Sequence, residues 1–240
     1  MKTVLIIPAL NEERAIGHVL SEVPRDLFAQ IIVGNNGSSD RTTEIAERHG
    51  ATVVNEPRRG YGSACLRAMA TIPADTEIVV FMDADGGDNP ADARLLIEPI
   101  ANGEVDFVVG SRVLGEAEPG ALGPHQRWGN ALATLLIRLW CGFRYTDLGP
   151  FRAIRASSLQ RIGMADPNYG WTIEMQMKAL RHGLRIKEVP VSYRNRRWGA
   201  SKVSGTVSGS VKAGGKILWT FFRLALGTRA PKRVYNNPRP

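Results

Sequence analysis

From Val189 to Pro240 the chain has no Asp or Glu at all, against eleven Lys and Arg. Residues 1–188 hold 20 basic and 23 acidic groups, so a mildly acidic body of −3 precedes a segment that carries the whole of the net +8. Such asymmetry points to an anionic surface or substrate: nucleic acid, anionic lipid or a phosphorylated acceptor, or else to a merely solubilising tail. Cysteine is nearly absent. Cys65 and Cys141 are far apart and form no C-x-x-C pair, which excludes a disulfide framework and fits a reduced, cytoplasmic protein. The four histidines are scattered, which argues against a histidine zinc site. No apolar run reaches the ~18–20 residues of a membrane span. No secretory leader is expected, because Met1-Lys2-Thr3 runs straight into Val4-Leu5-Ile6-Ile7 and then Pro8. Aromatics are sparse. Trp198, Trp219, Phe221 and Phe222 make no single-strand-binding signature, and with the acidic body this argues against a nucleic-acid partner. Internal repeats and low-complexity linkers are also missing.

What is present alternates regularly. Short apolar runs at 2–8, 30–33, 51–54, 77–82 and 105–109 read as strands. Between them, 12–23, 41–49, 60–72 and 90–101 carry helical spacing or helix-start signals. Five strands separated by helices in about 110 residues predict an α/β domain with a mostly parallel, Rossmann-like central sheet. The second half is less regular. The stretch 115–123 reads as a mobile loop, 126–141 and 169–182 as helices, 184–193 as a strand and 194–209 as a basic, Gly/Ser-rich loop. Residues 211–226 predict an amphipathic C-terminal helix, which either lies on a membrane or packs on the core.

The most informative feature is Asp83-Ala84-Asp85, directly after the apolar run Ile78–Met82. Open α/β sheets hold ligands at the C-terminal ends of their strands. Extended backbone puts positions 83 and 85 on one side. Two hard oxygen ligands there suit Mg²⁺ or Mn²⁺ carrying a diphosphate.

Order and spacing then carry a resemblance. Val4-Leu5-Ile6-Ile7-Pro8-Ala9-Leu10-Asn11-Glu12-Glu13, Val33-Gly34-Asn35-Asn36-Gly37-Ser38-Ser39-Asp40, Asn55-Glu56-Pro57-Arg58-Arg59-Gly60, Asp83-Ala84-Asp85-Gly86 and Gly110-Ser111-Arg112 follow one another between residues 4 and 112. Together they resemble the family 2 glycosyltransferases, inverting enzymes of the nucleotide-diphospho-sugar transferase fold. Asp147-Leu148-Gly149-Pro150-Phe151-Arg152, Gly170-Trp171-Thr172-Ile173-Glu174 and Arg197-Trp198-Gly199-Ala200-Ser201-Lys202 are similar to segments of its polyprenyl- or dolichyl-phosphate hexose synthases.

The resemblance implies a glycosyltransferase catalytic domain over 1–204, with a nucleotide-sugar half to about 112 and an acceptor half beyond it. A basic amphipathic helix and tail follow over 205–240. It implies a metal on Asp83 and Asp85, and donor contacts from Pro8, Ala9, Asn11, Glu12, Asn35, Gly37, Arg59, Gly60, Asp83, Ala84 and Arg112. Arg127, Arg152, Arg197, Ser201 and Lys202 would meet the acceptor phosphate, because guanidinium forks match phosphate oxygens. Catalytic roles would fall to Asp85, Arg152 and Glu174. Glu174 is the candidate general base if the acceptor is a hydroxyl; alternatively it simply pairs with an Arg. Gly87 stands where the lipid-phosphate synthases often carry a Gln that completes metal binding, leaving Asp88 or water for that place. The implied reaction moves a hexose, from UDP-glucose or GDP-mannose, to a polyprenyl phosphate at the cytoplasmic face of a membrane, where the protein would sit peripherally. A soluble hydroxyl acceptor is the rival within the class, and homo-oligomerisation is left open. A sugar-1-phosphate nucleotidyltransferase would need a G-x-G-T-R-type loop after the first strand, where this chain has Pro8-Ala9-Leu10-Asn11.

Overall fold

The computed structural model of the chain describes residues 1–196, 198 and 207–227. Its centre is a seven-stranded sheet in the order β3-β2-β1-β4-β6-β5-β7. The strands are β1 (Thr3–Ala9), β2 (Gln30–Asn35), β3 (Thr52–Asn55), β4 (Ile78–Phe81), β5 (Phe107–Ser111), β6 (Arg152–Arg155) and β7 (Ile186–Pro190). Neighbours are parallel except at β6, which runs antiparallel to both β4 and β5. Every residue of β1 is buried. Its side chains alternate between layers, Val4 and Ile6 on one face, Leu5, Ile7 and Ala9 on the other. That double burial explains the unbroken apolar run.

Helices cover both faces. One layer is α1 (Ile16–Glu22), α2 (Thr42–Arg48) and α4 (Ala93–Ala101). The other is α3 (Tyr61–Met69), α5 (Pro124–Cys141), α6 (Ala156–Ile162), α7 (Trp171–Arg181) and α8 (Val207–Leu226). The chain first builds β1, β2 and β3 outward, then crosses back to lay β4 against the other side of β1. The crevice at such a reversal, beyond the strands' C-terminal ends, is where open α/β sheets hold ligands.

Several segments differ from the sequence reading, among them α1, which starts at Ile16 rather than at residue 12. The fifth strand is Phe107–Ser111 and the seventh Ile186–Pro190, shifted or shorter than expected. β6 and α6 were not anticipated. Arg-Ala-Ile-Arg carries no strand pattern, and becomes a strand because β4 and β5 pair with it from both sides. The 115–123 segment is pinned at Tyr193, whose N–H donates to Glu116 and whose carbonyl accepts from Glu118. The C-terminal helix packs beside α5 and α7, burying Thr220, Phe221 and Leu224.

Candidate active site

At the C-terminal ends of β1 and β4 lies a cleft of ≈ 260 Å³. Its floor is Pro8, Ala9 and Leu10 from the end of β1 and Asp83, Ala84 and Asp85 from the turn after β4. Glu12, Asn36, Arg59, Gly60, Asn168, Tyr169 and Arg196 complete its lining.

The two carboxylates are held differently. Asp83 accepts a hydrogen bond from the Tyr61 hydroxyl at 3.0 Å, and its own N–H donates to Asp88 at 3.2 Å. Burial and the Asp85 charge push its carboxyl up to about 7, against the pull of Arg196 and the Tyr61 hydrogen bond. Asp85 is buried, accepts the Gly87 N–H at 2.8 Å and forms an ion pair with Arg196. Asp88 is turned into the protein; burial, then Asp83 and Asp85, raise its pKa, and its Oδ1 has no hydrogen-bond partner. Negative charge therefore exceeds its compensation at this turn. That excess, with hard oxygen donors, fits a divalent cation held by Asp83 and Asp85. Among the described residues no group of three or more His, Cys, Asp or Glu could hold a metal, so a diphosphate and water would complete the shell. Gly87 has a local cause: a Cβ there would lie 2.9 Å from the Tyr193 ring and 3.0 Å from Asp85 Oδ1.

Two glycines shape the rim. Gly60 sits at φ +145°, and a Cβ on it would come 2.1 Å from the Pro167 carbonyl oxygen; one on Gly62 would come 1.9 Å from that of Asp166. Only their missing side chains let the 165–170 loop come down on α3, where Ser63 donates to Pro167. That loop delivers Asn168 and Tyr169 to the cleft. Asn36 fixes the approach to Gly60: its amide donates to the carbonyls of Glu56 and Arg58 and accepts the Gly60 N–H at 2.7 Å.

Of the sequence-derived residues, Pro8, Ala9, Glu12, Arg59, Gly60, Asp83, Ala84 and Asp85 line this cleft. Others lie elsewhere. Asn11, at φ +49°, accepts the Ser39 N–H and so fixes the 37–39 turn, of which Gly37 is part. Asn35 spends its amide on Thr43, Asn55 and the Ser38 N–H. Arg112 forks onto Asp147 through two bonds of 2.8 Å, with Tyr193 below it. Arg152 is 0% exposed and donates to the carbonyls of Leu148, Gly149 and Thr172. Glu174, 1% exposed, accepts the N–H groups of Ala165 and Asp166 and pairs with Lys178 at 2.9 Å. It holds the 165–170 loop from behind, and its helical ion-pair partner is a lysine rather than an arginine. Arg127 is exposed on α5 and donates to Leu122. Arg197, Ser201 and Lys202 lie outside the described residues. Sequence reasoning missed Tyr61, Asn168, Tyr169 and Arg196. For Tyr61 the signal was its place beside the Gly60–Gly62 pair; the other three meet the cleft only through the fold.

A sheet of this order with an acidic turn after β4 defines the nucleotide-sugar transferase fold. Glucosyl-3-phosphoglycerate synthase from Mycobacterium tuberculosis, solved with phosphoglyceric acid, shares that fold at a TM-score of 0.77, over 97% of this chain and 81% of its own, with 24% identity. It has also been solved with Mn²⁺, UDP-glucose and phosphoglyceric acid, at a TM-score of 0.76. An uncharacterised glycosyltransferase of Mycobacterium tuberculosis is 36% identical over 87% of this chain and 93% of its own length. The undecaprenyl-phosphate mannosyltransferase of Micrococcus luteus is 28% identical over 87% and 90%. The model of glycosyl transferase family 2 matches residues 4–163. The chain belongs to that family and is a glycosyltransferase.

Proposed function

We propose that this enzyme transfers a hexose, with inversion, from a nucleoside diphosphate sugar to a polyprenyl phosphate, acting peripherally at the cytoplasmic face of a membrane. The observation that carries the acceptor class is the position of Glu174. It is enclosed behind the 165–170 loop and engaged by Lys178 and two backbone N–H groups. A hydroxyl acceptor needs a carboxylate base within reach, and with Glu174 engaged the cleft offers Glu12, Asp83 and Asp85, which this reading gives to the donor and the cation. A phosphate acceptor is already ionised, so its oxygen can attack the anomeric carbon while the bond to the diphosphate breaks, with no proton to remove. The likeness to the Micrococcus luteus enzyme supports the same reading.

The chain's own groups have distinct tasks. Pro8, Ala9 and Glu12 border the place for base and ribose, and Arg59 and Arg196 bring positive charge to the diphosphate side. Tyr61 orients Asp83 by its hydrogen bond. A Mg²⁺ or Mn²⁺ on Asp83 and Asp85 would neutralise the diphosphate and stabilise the departing nucleoside diphosphate as a Lewis acid. The solved complexes of the synthase with Mn²⁺ and UDP-glucose support this cofactor class.

The test is a transfer assay with UDP-glucose and GDP-mannose, each against undecaprenyl phosphate and phosphoglyceric acid. Glycosylated undecaprenyl phosphate is expected, and Asp85→Ala should abolish its formation. Transfer confined to phosphoglyceric acid would replace the lipid acceptor with a soluble one. Undiminished transfer by Asp85→Ala would remove the metal assignment.

A further inference from the structure

The helices on the α5/α8 side leave an unusual surface. α5 buries Ala133, Thr134, Ile137 and Cys141. Four large apolar residues of the same helix face outward: Trp128 is 79% exposed and Leu139 74%, with Leu132 and Leu135 also exposed. Their spacing of four, three and four places them in one stripe along the helix. Beside it, α8 exposes Trp219, Phe222 and, at 84%, Leu226, spaced three and four apart. The two helices pack against each other, so the stripes lie on adjoining elements. Exposed apolar surface of this extent marks an interaction site.

Charge selects the partner. Neither helix contains an Asp or Glu, and Arg127, Arg138 and Arg223 are exposed on them. A second copy of the chain on this face, related by a two-fold axis, would bring the same cationic helices together. An anionic bilayer complements both properties, taking the apolar stripe into its interface and the arginines at its headgroups. No helix among the described residues is long and apolar enough to cross a membrane, so the contact is lateral.

We infer that α5 and α8 together form a docking face for an anionic lipid bilayer. The inference rests on the lipid-phosphate reading, to which it adds the surface that brings cleft and acceptor together. α8 is also tied to the cleft rim: Asp166 of the 165–170 loop pairs with Lys216 at 3.1 Å, accepts from Thr220 and lies 3.9 Å from Arg223. Docking through α8 therefore bears on the loop that carries Asn168 and Tyr169.

Co-sedimentation of the full chain with phosphatidylcholine vesicles, with and without phosphatidylglycerol, tests the face. Binding should require the anionic lipid, weaken with salt, and shift tryptophan emission to the blue. Leu135→Ser with Leu139→Ser, exposed positions away from the cleft, should lower partitioning roughly tenfold or more, with helical content and Mn²⁺-dependent UDP or GDP binding unchanged. Equal binding of the double variant overturns the inference. So does a self-association, seen by sedimentation, that the double variant abolishes while wild type ignores vesicles. Anionic-vesicle binding that the double variant loses, in an enzyme that leaves undecaprenyl phosphate unglycosylated, would uphold the face and overturn the lipid-phosphate reading instead.

Discussion

Arg196 reaches into the cleft and pairs with Asp85, one of the two carboxylates proposed to hold the cation. A guanidinium and a divalent cation cannot both take the same carboxylate oxygen, so Arg196 would compete with a metal at Asp85 as long as no nucleotide shared its charge. A hydrogen bond to a charged group contributes about 1.5–3 kcal/mol. Arg196→Ala should therefore bind Mn²⁺ roughly tenfold tighter without nucleotide, measured as free Mn²⁺ by electron paramagnetic resonance. Unaltered Mn²⁺ affinity would mean that the pair does not guard the site. The acidic partner was legible in the sequence, because a buried run ending in Asp-x-Asp fixes both strand and exit side. The basic partner was not: Arg194, Arg196 and Arg197 are indistinguishable in a basic stretch. Only the backbone path decides which reaches in; Arg194 turns instead to Glu22 and Asn89. Asn35 and Asn36 pose the same difficulty. Adjacent amides face opposite ways, one into the turn and one onto the cleft rim.

Between elements, the 165–170 loop is clamped from three sides. Glu174 of α7 takes its N–H groups, Gly60 and Gly62 admit it to α3, and Asp166 anchors it to α8. Asp166 is fully buried, so its contacts with Lys216 and Thr220 are shielded from water, while the longer and more exposed Arg223 contact contributes little. Asp166→Asn keeps an acceptor for the Asn168 N–H but loses the charge. It should lower stability by about 1–3 kcal/mol, seen as a drop in melting temperature of about 2–4 °C per kcal/mol for a chain of this size. Nucleotide binding should weaken with it. An unchanged melting temperature would show that α8 is held by its apolar contacts alone. The sequence marked Glu174 as a chemically interesting carboxylate on a helix. Periodicity sets the face of a side chain but not what meets it, and what meets this one is backbone. β6 escaped for a related reason, since its strand character comes from two neighbours distant in sequence.

Over the whole molecule, the alternation of strands and helices revealed an α/β domain, and the order of short segments revealed the family. The sheet order was not legible, because β6 separates β4 from β5 although it follows both in the chain. That insertion places β7 beside β5 and brings Glu188 under the 146–147 segment. There it accepts the N–H groups of Thr146 and Asp147 at 2.9–3.1 Å. Burial outweighs these donors and pushes its carboxyl from 4.5 up to about 7. A carboxyl whose folded pKa is raised holds its proton more tightly in the folded state. Its contribution is complete below 4.5 and is lost as pH rises to about 7. The lowered carboxyls, Asp75, Glu104 and Asp106, work in the opposite sense, but Asp75 and Glu104 are fully solvated and their pairs are screened. Glu188→Gln removes one titration and leaves the others. Its melting temperature relative to wild type should therefore climb as pH rises from 4.5 to about 7 and level off beyond. A difference that stays flat across that window would mean that Glu188 is ionised throughout, with the Thr146 and Asp147 donors outweighing its burial.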